Sequence, residues 1–153
     1  MSSLGASIEP DRIRDRLVDL VRYPSFDGAE ENIIVRIADL LQGIGAEVDV
    51  WHDDAVSLAS LEGYPGHEVS RAKIPVVAGR LRGSRPGPAV MITGHVDVVP
   101  PGDISQWSAD PFSGTIDGDR LYGRGSCDMK SGLVAGLELL DVSHAQRPVR
   151  ARL

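Results

Sequence analysis

Two short runs carry the side chains whose types and spacing suit divalent-cation chemistry. The first is Val90-Met-Ile-Thr-Gly-His95-Val-Asp97-Val-Val-Pro100-Pro-Gly102, and it is answered by Leu121-Tyr-Gly-Arg-Gly-Ser-Cys-Asp128-Met-Lys-Ser-Gly132. Residues two apart on a strand share a face, so His95 and Asp97 can point into one space. An imidazole so placed suits a metal ligand. The carboxylate suits its orienting partner, since metal-bound histidines usually donate their second N–H to an oxygen. Asp128, beside a helix start, has two carboxylate oxygens and could bridge two cations ~3.5–4 Å apart. Each piece has an ordinary counterpart. A lone His-x-Asp is more often a surface pair, and an Asp before a helix is more often an N-cap. Their order and placement together are more specific than either alone.

The elements around them follow from periodicity. Glu9-Pro10-Asp11 opens a helix with Ile13, Leu17, Leu20 and Val21 on one face, stopped at Tyr23-Pro24-Ser25. Asp27 to Glu31 opens a second, striped by Ile33, Ile34, Ile37, Leu40 and Leu41 and ended by Gly43 and Gly45. Ala46 to Trp51 alternates as a strand with Val48 and Val50 inward, and Ile74 to Arg82 is a second strand. Between them the signal weakens to a helical turn near Leu58 and Leu61 and a loop at Tyr64 to His67. Ala89 to Thr93 is apolar and bounded by turns, which suits a strand buried on both faces with the His95 site at its end. Pro101 to Asp119 is a loop pinned by Trp107 and Phe112. Thr115-Ile116 and Arg120 to Tyr122 make a hairpin about Asp117-Gly118-Asp119. Met129 to Leu140 is the last helix, with Leu133, Leu137 and Leu140 in register. The order α-α-β-β-β-hairpin-α predicts an α/β fold, a mixed β-sheet flanked by helices. Ligands of such sheets collect beyond the carboxyl ends of strands.

Gly94-His95-Val-Asp97-Val-Val-Pro100, Trp107-Ser-Ala-Asp110-Pro-Phe112, Leu121-Tyr-Gly-Arg-Gly125 and Asp128-Met-Lys-Ser-Gly132 together resemble the M20 metallopeptidases. The acetylornithine deacetylase and succinyl-diaminopimelate desuccinylase branch is the most similar, and the likeness runs from about Asp11 to Leu140. It implies a zinc-dependent exopeptidase-like fold and hydrolysis of amide C–N bonds in N-acyl amino acids or small peptides. It implies two Zn²⁺ per complete site, with Co²⁺ a possible substitute, and a homodimer in complete members. By the same resemblance His95 is a ligand of one zinc, Asp128 bridges both, and Asp97 is the carboxylate that holds His95.

The sequence departs from that pattern. Family members supply a Glu-Glu pair on the strand after the Asp128 helix, a later acidic ligand, a histidine near the C-terminus and a smaller inserted domain. No Glu-Glu follows Asp128, Glu30-Glu31 lies on an early helix, and His144 has no matching context. The expected organisation is a disordered N-terminus at 1–7, the N-terminal part of an M20 catalytic domain at 8–141, and an atypical tail at 142–153 carrying Pro148 and three arginines. On this reading the chain is an incomplete enzyme that binds metal weakly and hydrolyses nothing measurable. The alternative is a non-catalytic truncated protein with at most a residual metal site.

Composition bounds the rest. The chain has 153 residues, 42% apolar and 25% charged, with net charge −6, enough for one domain with a core and without a basic face for nucleic acid. The single cysteine, Cys127, allows no internal disulfide and is expected as a small, half-buried residue. No run approaches the ~20 apolar residues of a membrane span, and the first residues lack a secretory pattern, so the expectation is a cytoplasmic protein without a membrane partner. Gly123-x-Gly125-x-x-Asp128 has a carboxylate where a dinucleotide loop has its third glycine, and Met129 stands where a P-loop ending in Lys130-Ser131 needs one. His52 and His67 are expected as loop histidines in solvent.

Overall fold

The structure is a computed structural model, and it describes residues 8–64, 66, 71–83 and 86–145. Helix α1 spans Pro10–Val21, with Pro10 at its start, where a missing N–H costs nothing, and Asp11 in its first turn. Helix α2 spans Glu31–Gly43 and buries Ile33, Ile34, Ile37, Ala38 and Leu41. Strands β1 (Glu47–Asp54) and β2 (Lys73–Arg80) pair antiparallel, with Val48 opposite Gly79 and Trp51 opposite Val76. The short α3 (Ala55–Ala59) follows β1 directly, capped by Asp54, which accepts from Val56 N–H at 3.1 Å. Strands β3 (Thr115–Asp117) and β4 (Arg120–Tyr122) form the expected hairpin. Helix α4 runs over Ser131–Ala145.

Leu20, Ile33, Ile37, Leu41, Ile44, Val134 and Leu137 form the core, so α1, α2 and α4 all contribute their apolar faces. Helix α2 lies on the β1–β2 ribbon, with the Leu41 side chain set against Gly79. That contact lies at the Val48 end. Val48 therefore packs into the core, whereas Val50 is 42% exposed rather than inward as its alternation suggested.

The α/β class holds, built here from two antiparallel two-stranded sheets. The run Ala89 to Thr93 is not one of their strands. It has no ladder partner among the described residues, and Val90 and Met91 are 85% and 86% exposed. Its composition suits a strand with neighbours on both sides, and no described strand flanks it. It borders instead a cavity of about 650 Å³ between β2, α2 and α4, lined also by His95 and Asp97. Among the described residues no helix is long and apolar enough to cross a membrane. The first seven residues, His67 and the tail beyond Ala145 lie outside the described residues. Helix α4 itself continues past Asp141, with Val142 buried.

Candidate metal centre

His95 and Asp128 come together. Nε2 of the imidazole stands 3.1 Å from Oδ1 of Asp128, although 33 positions separate them in the chain. The other ring nitrogen, Nδ1, lies 3.1 Å from the Asp97 carbonyl oxygen and 3.3 Å from its carboxylate. A ring that donates its Nδ1 proton to Asp97 turns a bare Nε2 lone pair toward Asp128. Two acceptors then face each other at 3.1 Å, and only a proton or a cation between them makes that contact favourable. Two donors on one tetrahedral zinc stand roughly 3.3 Å apart, given bonds of about 2.0–2.1 Å. The pair therefore fits a divalent cation. The Asp128 side chain is 87% exposed, so it stands open to solvent. No cluster of three or more potential protein ligands occurs among the described residues. The donor set is thus two of the three protein ligands that catalytic zinc usually takes.

Local sequence explains the approach. Gly94, just before the histidine, lets the chain pass close to two side-chain ends. A Cβ there would stand 2.7 Å from Leu133 Cδ2 and 3.0 Å from Met129 Cε, so the His95 segment lies directly on the start of α4. Asp128 is not the cap of that helix. It occupies a kinked turn, Ser126–Lys130, in which Asp128 and Met129 have non-helical backbone angles, and α4 begins at Ser131 rather than Met129. Gly125 heads the turn at φ 78°, where a Cβ would come 2.3 Å from Val98 Cγ1. Both the left-handed backbone and the overlap penalise any side chain. Gly125→Ala is expected to cost about 2 kcal/mol, measured by urea unfolding. An unchanged midpoint would show that the turn adapts freely.

Trp107 and Phe112 serve as packing residues of the intervening loop. The Trp107 indole N–H donates to the Pro101 carbonyl at 3.0 Å, and the Arg124 guanidinium lies over its ring, 5.2 Å from the centroid. Phe112 stacks on Phe26 with centroids 5.7 Å apart. His52 is not near the pair; its Nε2 lies 2.8 Å from Glu31 Oε2. Cys127, in the same turn as Asp128, is exposed rather than half-buried.

The sequence reading passed over two buried polar residues behind the site. Ser25 and Lys130 are both 0% exposed. Lys130 Nζ donates to the Tyr23 carbonyl at 2.7 Å, and burial pushes its pKa down to about 8. The only available signal was a lysine and a serine flanked by elements with apolar faces, which is too common a pattern to single out.

Comparison with known proteins places the chain beside one family. The profile of peptidase family M20/M25/M40 matches residues 91–152. A succinyl-diaminopimelate desuccinylase of Ehrlichia ruminantium (strain Gardel) is 34% identical over 119 residues, 76% of this chain and 27% of that protein. The enzyme of the same name from Rhodospirillum centenum is 36% identical over 117 residues, 76% of this chain and 26% of that protein. That of Rhodopseudomonas palustris (strain BisA53) is 36% identical over 119 residues, 78% and 27% respectively. The chain spans about a quarter of the length of these curated relatives.

Proposed function

This chain belongs to the M20 peptidase family, and from that premise we propose that it carries the metal-proximal part of a hydrolase of amide C–N bonds in N-acyl amino acids. The relatives' name makes an N-succinyl amino acid the first substrate class to test. His95 and Asp128 are the residues that would hold the cation, zinc or cobalt, with Asp128 shared between two ions in a complete site. The convergence of His95 Nε2 and Asp128 Oδ1 at 3.1 Å is the observation that carries the reading.

When bound, such a cation acidifies a water and polarises the scissile carbonyl. The chain's own residues do the positioning. Asp97 accepts a hydrogen bond from His95 Nδ1–H, which would fix the tautomer and leave Nε2 as the donor atom. Asp128 lends negative charge and stands open to solvent. The cavity behind Met91 to Asp97 keeps an apolar wall against the pair. No general base within reach is assigned to this chain, and hydrolysis of N-succinyl or N-acetyl amino acids by the 153-residue chain is expected to stay below detection.

The test is calorimetric titration of the chain with Zn²⁺ and with Co²⁺. Removing a direct ligand is expected to weaken binding at least tenfold in His95→Ala and in Asp128→Asn. Equal binding by wild type and both variants would remove the cation from this site and the hydrolase reading with it.

A further inference from the structure

We propose that residues Tyr23 to Ser25 are a clip that sets the separation of His95 and Asp128, with Ser25 and Lys130 as positioning residues. This rests on the reading that the pair holds a cation. The two loops that carry the pair are not joined by any strand ladder among the described residues. Both side chains of the pair are open to solvent, 45% for His95 and 87% for Asp128, so packing of the side chains themselves does not fix them. Besides packing on each other at Gly94 and Gly125, the two loops are both hydrogen-bonded to one three-residue segment just beyond α1.

On one side, Ser25 grips the turn around Asp97. Its Oγ donates to the Val96 carbonyl at 2.7 Å, and its own carbonyl accepts from Val98 N–H at 2.8 Å. These two bonds bracket Asp97, the residue against which His95 orients its ring. On the other side, Lys130 anchors the turn that presents Asp128. Its Nζ donates to the Tyr23 carbonyl at 2.7 Å, and its backbone N–H donates to the Gly125 carbonyl at 3.0 Å. The clip is stiffened internally, because Ser25 N–H donates to the same Tyr23 carbonyl at 2.9 Å. Ser25 and Lys130 are fully buried, so water does not compete for these bonds. Neither residue reaches the His95–Asp128 gap, and each acts through the backbone it holds.

Hydrogen exchange on the whole metal-free chain tests the coupling. Lys130→Met keeps the aliphatic stem and removes the amine. It is expected to speed exchange of the Val98 amide at least fivefold, although Lys130 makes no bond to that loop, while amides of α2 keep their protection. Ser25→Ala is expected to do the reverse, speeding the Lys130 amide. Equal speeding of α2 would mean general loosening, and no change at either distant amide would break the clip; both results overturn it. Co²⁺ absorption spectra read the consequence. Ser25→Ala and Lys130→Met are each expected to weaken Co²⁺ binding about tenfold and to alter its visible bands, the scale seen for residues that orient metal ligands. If His95→Ala loses Co²⁺ while these two variants bind it with the wild-type spectrum, the positioning role is wrong and the cation reading survives. If wild type and His95→Ala take up Co²⁺ alike, the cation reading fails, and the clip is judged by exchange alone.

Discussion

The free energy of unfolding of this chain is expected to rise by about 3 kcal/mol between pH 8 and pH 10.5, and the rise should vanish in Lys130→Met. The cause is the fully buried ammonium of Lys130. Burial lowers its pKa from 10.5 to about 8, because the folded interior favours the neutral amine. Below pH 8 the amine is charged in both states, so folding carries the full cost of burying it. Between pH 8 and about 10.4 the folded chain releases the proton while the unfolded chain still holds it. The unfolded state then binds more protons, and stability climbs with pH. Above that window both states are neutral and the gain is complete. Urea unfolding at pH 7.5, 9 and 10.5 measures it, and subtracting the Lys130→Met values removes every other group that titrates there. Parallel curves for the two proteins would mean that the amine is solvated in the native state.

Lys130 lies two residues from Asp128, and its bond to Tyr23 is a buried polar link between the segment after α1 and the turn before α4. Methionine at this position lets the turn keep its packing, and Tyr23's carbonyl still receives the Ser25 N–H. The variant should therefore be more stable at neutral pH and poorer at holding its ligands in place.

What could be read from the chain divides along a physical line. Helices α1 and α2, the β1–β2 ribbon and the β3–β4 hairpin were legible because their signals are local: one apolar stripe, one alternation, one turn sequence. The meeting of His95, Asp97 and Asp128 was also legible, since a strand-like run ending in Gly-His-x-Asp and a Gly-rich turn ending in Asp are unusual companions. The pairing of Val90 to Thr93 was not. A run that suits burial on both faces says that neighbours are wanted, never where they are, and no described strand supplies them. The start of α4 was placed early because Met129 fits the stripe of Leu133 and Leu137, while the kink at Asp128 leaves no mark in hydrophobic spacing. Ser25 and Glu138 were invisible for a related reason. Each looks like an ordinary surface residue, and burial is decided by what packs over it.

Glu138 leads to the other large effect: Arg12→Met is expected to cost about 3–4 kcal/mol at pH 7, although Arg12 itself is a third exposed. The Glu138 side chain is 2% exposed on the face of α4 that meets α1. Arg12 holds it with both prongs of its guanidinium, Nε at 2.9 Å to one oxygen and Nη2 to the other. Arg16 adds a bond at 3.0 Å and donates to Asp141 at 2.6 Å. Without Arg12 the carboxylate stays buried with Arg16 as its remaining charged partner, and the penalty comes from the buried glutamate rather than from the residue removed. The double variant Arg12→Met/Glu138→Met should return to within about 1 kcal/mol of wild type, since a buried ion pair and a packed apolar pair are often equivalent. Acid should erase the difference. The Arg12 hydrogen bond, ahead of all else, holds the Glu138 carboxyl below its usual range. Its stabilisation is complete above the unfolded value of about 4.3 and is lost as pH falls through the folded one. Unfolding measured at pH 7 and again well below pH 4 should thus show wild type and Arg12→Met converging. A gap that stays constant across that range would assign the loss to the packing of the arginine stem. The same pair bears on the site, because α1 leads into Tyr23 and α4 begins right after Lys130. Arg12–Glu138 thus ties the helix that leads into Tyr23 to the helix that follows Lys130.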